Sequence, residues 1–175
     1  NEKYPDSVFT IIEFIYKQTA TDFYSIIKQS DDGFFDKIFV LSGTILEPRR
    51  KEIIHYLKNS SNRHKKIILI TTQVVEAGVD IDMDLGFKDK SLIDSDEQLA
   101  GRINRNINKS TCQLYLFNCD NANVLYKGDK RFQLMQNELE GLDKKILQSK
   151  DFDFLYDRIM NQINLQNDRT YQKGF

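Results

Sequence analysis

Two short segments carry most of the groups able to do chemistry. TTQVVEAGVDID (residues 71–82) sets threonines, a glutamine, a glutamate and two aspartates directly behind KKIILI, the most apolar run in the chain. QLAGRINR (residues 98–105) sets Arg102 and Arg105 three residues apart, with Gln98 a turn ahead. On a helix, residues three apart share a face. Two guanidiniums on one face suit a phosphoryl group whose charge grows during transfer, because each offers a rigid fork of donors. Gly101 beside them permits close approach of the backbone. In the first segment Asp80 can accept hydrogen bonds from a sugar hydroxyl, and Gly78 lets the backbone turn tightly or approach a ligand. Each segment alone also has a plainer reading: a strand followed by a turn with solvated carboxylates, and a solvated helix surface.

The elements that must position these groups are legible as an alternating pattern. SVFTII (residues 7–12) is a short β-branched run, and residues 17–29 place Ala20, Phe23, Tyr24, Ile26 and Ile27 near helical spacing. After the DDG turn comes KIFVL (37–41), then a helix from about Pro48 to Lys58 with proline at its first position. KIILIT (66–71) is continuously apolar, as expected of a strand covered on both faces. DMDLGF is a weaker, alternating fourth strand, SDEQLAGRINR a helix opened near Asp94 or Ser95, and CQLYLF (112–117) a fifth strand. Repeated βα units of this length predict an α/β domain with a mostly parallel sheet. Parallel sheets bind ligands at the carboxyl ends of their strands, which is where the polar segment after KIILIT is expected to work. From about Lys127 onward the pattern is helical, with GDKRFQLMQNELEGLDKKILQ and FDFLYDRIMNQINLQ read as two helices. The expected division is therefore an α/β domain over residues 1–125 and a helical extension over 126–175.

Bulk properties narrow the class. At 175 residues, 40% hydrophobic and 29% charged, the chain is long enough for one well-buried core. Lys plus Arg total 25 against 26 Asp plus Glu, so no global positive field draws it to nucleic acid or membrane, and any polyanion contact must be local. RRK (49–51) and RHKK (63–66) either extend such a track or are solvated faces. Cys112 and Cys119 form no CxxC pair and have no histidine near them in sequence, which gives a zinc site or disulfide framework no support and fits a reducing, cytoplasmic setting. No run approaches the roughly 20 apolar residues of a membrane span. The opening NEKYPDS has no methionine and reads as a fragment of something longer.

In this order and separation, the two segments resemble motifs V and VI of superfamily 2 helicases. The pairing of TQVVEAGVDID with a QxxGRxNR element is similar to the CRISPR-associated DNA helicase-nuclease of type I systems, specifically its second RecA-like lobe. SVFTIIEF resembles the first strand of that lobe and LSGTILEPRRKEII its motif IV region, so the resemblance runs from about Ser7 to Phe117. It implies a RecA-like three-layer α/β/α domain. It further implies that Arg105 is the arginine finger, Arg102 its partner toward the phosphates or the other lobe's acidic motif, and Gln98 a residue that positions nucleotide. Gly78 and Asp80 would approach the ATP ribose, Thr72 would bond a nucleic-acid phosphate, and Ser42 and Thr44 would make further backbone contacts. The chain contains no GxxxxGK[ST] loop and no DExH or DExD box. The resemblance assigns those to the first lobe, which would hold ATP and Mg²⁺, leaving this chain inactive as an ATPase by itself. Implied partners are single-stranded DNA, the first RecA-like lobe and a CRISPR effector complex. An HD nuclease often lies upstream in that family, and neither His55 nor His64 sits in an HD pair. Two other readings stay open: another superfamily 2 lobe acting on RNA or DNA, and a RecA-like partner-binding module without an ATPase role.

Overall fold

The computed structural model describes residues 7–73, 79–106, 112–137, 143–149 and 151–173. Five strands, β1 (Val8–Glu13), β2 (Lys37–Leu41), β3 (Lys66–Thr71), β4 (Leu85–Asp89) and β5 (Gln113–Phe117), form one sheet in the order β2, β3, β1, β4, β5. Every pairing is parallel. The polar stretch after Met83 does pair, with β1 on one side and β5 on the other.

Period-2 alternation divides the core into two layers. Phe9, Ile11, Phe39, Leu41, Ile67 and Leu69 face one way and pack under Ile53 and Leu57 of α2 (Glu47–Lys58) and Leu99 of α3 (Ile93–Ala100). Ile12, Ile68 and Ile70 face the other way, toward Ala20, Phe23 and Tyr24 of α1 (Lys17–Ser30). The continuous apolar run of β3 is thus explained, since helices cover both of its faces. Ile67, Leu69 and Ile70 are fully buried, each stabilising the fold by about 1.5–3 kcal/mol relative to exposure. This is the three-layer α/β/α arrangement the sequence predicts. On the α1 layer a cavity of about 270 Å³, lined by Val8, Phe23, Phe34, Phe35 and Phe87 among others, stays apolar and away from the polar segments.

Where β4 lies between β1 and β5, Gly86 is needed for close approach. A Cβ there would stand 2.7 Å from Leu114 Cδ1 and 2.8 Å from Ile103 Cδ1. Lys88 and Glu13 are register partners across β4 and β1 and form a buried ion pair. The same ammonium donates to Ser95 Oγ at 2.7 Å, which ties α3 to the carboxyl ends of the central strands.

The residues up to Asn121 form one compact unit, and those from Ala122 onward a second. Within the second, α4 (Ala122–Tyr126), α5 (Lys130–Asn137), α6 (Asp143–Ser149) and α7 (Phe152–Lys173) surround a small core of Phe132, Leu134, Ile146, Leu155 and Ile159. The expected single helix over GDKRFQLMQNELEGLDKKILQ is instead α5 and α6 on either side of residues 138–142, which lie outside the described residues. Asp129 precedes α5, accepts from the Arg131 backbone N–H at 2.8 Å and pairs with its guanidinium at 2.7 Å. That hydrogen-bonded arginine holds the Asp129 carboxyl below its ordinary range. Among the described residues no helix is long and apolar enough to cross a membrane.

Candidate functional site

Ser42 and Thr72 leave the sheet together. Leu41 and Thr71 are register partners at the carboxyl ends of β2 and β3, so the residues that follow them emerge side by side. The Thr72 N–H donates to Leu41 O at 3.3 Å, and Thr71 Oγ1 donates to the same carbonyl at 2.7 Å. Ser42 and Thr44 hydroxyls lie 3.2 Å apart; Thr44 is exposed, while Ser42 and Thr72 are largely buried. These three hydroxyl residues therefore share the carboxyl rim, where α2 begins.

Asp80 is elsewhere, which corrects the expectation that the whole acidic segment works at the carboxyl rim. Residues 79–84 run back along the α2 and α3 layer. Val79, Ile81 and Met83 enter its core at every second position, and the aspartates between them turn away. At the far end of this return, Asp84 N–H donates to Phe9 O at 2.8 Å and Asp84 Oδ2 accepts from Phe9 N at 2.7 Å, at the amino end of β1. α2 joins the carboxyl end of β2 to the amino end of the parallel β3, so its last turn lies toward the amino ends as well. Lys58 in that turn pairs with Asp80 Oδ2 at 3.2 Å.

The two arginines also differ from the helical expectation. α3 stops at Ala100, with Gly101 as its cap, so Arg102 and Arg105 do not share a helix face. Instead their segment is sewn to the return segment: Met83 N–H donates to Arg102 O at 2.8 Å, Asn104 N–H to Met83 O at 2.7 Å, and Met83 and Ile103 form a parallel bridge. Asn104 takes a left-handed φ of 53°, which asparagine tolerates better than most side chains, and this turns the chain so that Arg105 points back. Backbone pairing and the burial of Ile103 against the core outweigh one more turn of helix. Gln98 remains in the last turn of α3 and is exposed. Gly78 lies outside the described residues.

The outcome still brings the expected partners together. Arg105 Nη1 lies 3.0 Å from Asp80 Oδ1, with side chains 42% and 60% exposed, so the pair can be reached from solvent. The bond from Lys58, then the charge of Arg105, and more weakly that of Arg102, hold the Asp80 carboxyl below the ordinary range. Beneath it, Asp82 fixes the backbone of the arginine turn: Oδ1 accepts from Arg105 N at 2.8 Å and Oδ2 from Asn106 Nδ2 at 3.0 Å.

Sequence reasoning missed Lys58, Asp82 and Arg63. Arg63 donates to Asp82 O at 2.6 Å, reaches Asp82 and Asp84 carboxylates at 3.5 Å each, and lies over the Phe9 ring. Lys65 bonds Asn62 and Tyr56, and Lys66 lies over Phe34. The RHKK run thus braces the fold rather than forming a free track. Arg49 of the RRK run pairs with Glu52 on its own helix at 2.7 Å.

One set of potential metal ligands occurs among the described residues, Asp89, Cys119 and Asp120. Its carboxylates are already employed: Asp89 accepts from the N–H groups of Cys119 and Asp120 at 2.9 Å each, and Asp120 accepts from Tyr16 N and Thr19 Oγ1. Burial pushes the Asp89 carboxyl up, and burial followed by the two neighbouring carboxylates pushes the Cys119 thiol up. A thiol so raised is a poor thiolate ligand, and the set acts as a clip between the ends of β4 and β5 and the start of α1.

With this geometry in place, comparison with known proteins is informative. The family described as CRISPR-associated nuclease/helicase Cas3, C-terminal, matches residues 10–108. The CRISPR-associated nuclease/helicase Cas3 of Methanothermobacter thermautotrophicus is 35% identical over 89 residues, which is 51% of this chain and 10% of that protein. Among solved structures, T. fusca Cas3 with ATP superposes with a TM-score of 0.64 at 18% identity, covering 98% of this chain and 23% of that one. Domain 2 of the DEAD-box helicase Mss116p, bound to an RNA duplex, gives 0.52 at 18% identity over 65% of this chain and 43% of that one. The chain therefore spans a small part of each Cas3 relative.

Proposed function

The chain belongs to the C-terminal family of the CRISPR-associated nuclease/helicase Cas3, and on that premise we propose that it is the ATP-sensing, DNA-gripping half of a superfamily 2 translocase. It has the fold of a second RecA-like lobe. The observation that carries the proposal is the direct pairing of Asp80 with Arg105. Two residues 25 positions apart in sequence, one suited to a ribose and one to a phosphoryl group, meet on an exposed edge.

The donor set fits half of a nucleotide site. Asp80 offers a carboxylate to a ribose hydroxyl, Arg105 and Arg102 offer guanidiniums to phosphate, and Gln98 is exposed in the last turn of α3. Mg²⁺ is assigned to the first lobe, because both oxygens of Asp80 are engaged by cations of this chain. ATP bound in the assembled cleft supplies the phosphoryl group to be transferred. Arg105 contributes only when the lobes close and its guanidinium meets the charge that develops on that group. Such a finger is worth about 10³ to 10⁵ in rate, so hydrolysis becomes conditional on closure.

Ser42, Thr44 and Thr72 sit apart from the nucleotide edge, on the carboxyl rim, and are assigned to the phosphates of single-stranded DNA. Contacts of this kind fix position without reading bases. Closing and opening on ATP would then move this rim relative to the first lobe's own contacts, which is translocation. The family places this activity in CRISPR interference, with an effector complex as recruiter.

The test is hydrolysis by the intact polypeptide containing this lobe, with DNA or RNA as stimulator. Arg105→Ala should abolish DNA-stimulated turnover while leaving the protein folded. Unchanged turnover would favour a RecA-like module that only binds a partner, and preferential stimulation by RNA would favour another superfamily 2 lobe.

A further inference from the structure

The nucleotide edge contains a third charge outside both motif segments. Lys58 Nζ holds Asp80 Oδ2 at 3.2 Å while Arg105 holds Asp80 Oδ1 at 3.0 Å, so each oxygen of one carboxylate is taken by a different cation. In this state the residue assigned to the ribose and the residue assigned to the phosphoryl group neutralise each other. ATP can use both only if they separate. We propose that Lys58 is a positioning residue for nucleotide, retaining Asp80 by one oxygen so that the other can pass from Arg105 to a ribose hydroxyl and free the guanidinium for the phosphoryl group. This inference rests on the reading of Arg105 as the finger.

The geometry favours exchange over a fixed lock. Lys58 comes from the last turn of α2, Arg105 from the turn after α3, and Asp80 from the return segment between them. Loss of the arginine therefore leaves the carboxylate still compensated and still aimed by a separate element. Without Lys58, Asp80 would be free to turn both oxygens to Arg105, the bidentate arrangement that guanidinium and carboxylate prefer. The finger would then be retained more firmly and the carboxylate aimed less well.

The experiment is a double-mutant cycle on ATP hydrolysis by the intact polypeptide, at saturating ATP and DNA. Lys58→Gln should lower kcat by about two- to fivefold, the range expected of a partly exposed ion pair. Lys58→Arg should restore it. In an Asp80→Asn background Lys58→Gln should have no further effect on kcat. Equal sensitivity in both backgrounds, or none in either, would overturn the role of Lys58 while an inactive Arg105→Ala variant kept the finger reading intact. Unchanged hydrolysis in Arg105→Ala would instead remove the finger reading, and this inference with it.

Discussion

At the scale of single residues, the site depends less on its exposed charges than on the carboxylate beneath them. The Asp80 to Arg105 contact is solvent-exposed and by itself adds little to stability. Asp82 is 8% exposed and does the structural task, accepting from the Arg105 backbone, the Asn106 side chain and the Arg63 guanidinium. Asp82→Ala leaves a backbone donor and a part-buried guanidinium without that acceptor, and should cost about 1–3 kcal/mol in urea unfolding. Asp82→Asn keeps one carbonyl acceptor and should cost less. Because the arginine turn would loosen, hydrolysis by the intact polypeptide should fall in the same order. A cost within about 0.5 kcal/mol, the level of an ordinary surface change, would mean that the backbone bridge at Met83 holds the turn unaided.

At the scale of elements, what could be read in the sequence and what could not divide along a physical line. KIFVL and KIILIT become β2 and β3 with the expected bounds, because a short apolar run flanked by polar turns has few alternatives. The end of α3 was not legible: QLAGRINR has helical spacing throughout, and only the long-range bridge between Ile103 and Met83 draws the chain out of the helix after Ala100. For the same reason the alternation of Val79, Ile81 and Met83 could be seen, but not that it returns along the helical layer and carries Asp80 off the carboxyl rim. Lys58 and Arg63 looked like solvated cations because their partners lie about 20 residues away in sequence. Lys88 is the extreme case, a charge inside a strand that is almost wholly buried and satisfied by Glu13 and Ser95. Lys88→Ala strands Glu13 in the core and should destabilise the fold by about 3–5 kcal/mol, whereas Lys88→Met combined with Glu13→Leu removes both charges and should recover most of that loss. Denaturant midpoints of the two variants decide the matter. If the double substitution is as unstable as the single one, the tie from Lys88 to Ser95, and not the ion pair, is what anchors α3.

At the scale of the molecule, the nucleotide edge and the hydroxyl rim are separated by the length of α2, and near-neutral net charge (−1) suits that division. A chain that held DNA through a broad cationic surface would show the steep salt dependence of counterion release, about 0.7 of a logarithmic unit per phosphate neutralised on a single strand. Hydroxyl and backbone donors release no counterions, and the RHKK cations are committed within the fold. Ser42→Ala and Thr44→Ala in the intact polypeptide should therefore weaken single-stranded DNA binding by about two- to tenfold each, the worth of one hydrogen bond. Their plots of log affinity against log salt should remain parallel to that of the unsubstituted protein. Arg49→Gln offers the contrast: its guanidinium already pairs with Glu52, so it too should leave the slope unchanged. A slope reduced by about 0.7 in that variant would assign a phosphate to Arg49 and move the grip from the rim hydroxyls to the first turn of α2. Unaltered affinity in both hydroxyl variants would take the DNA off the rim altogether, and ATP-driven closure at the opposite edge would then have to be coupled to a different surface.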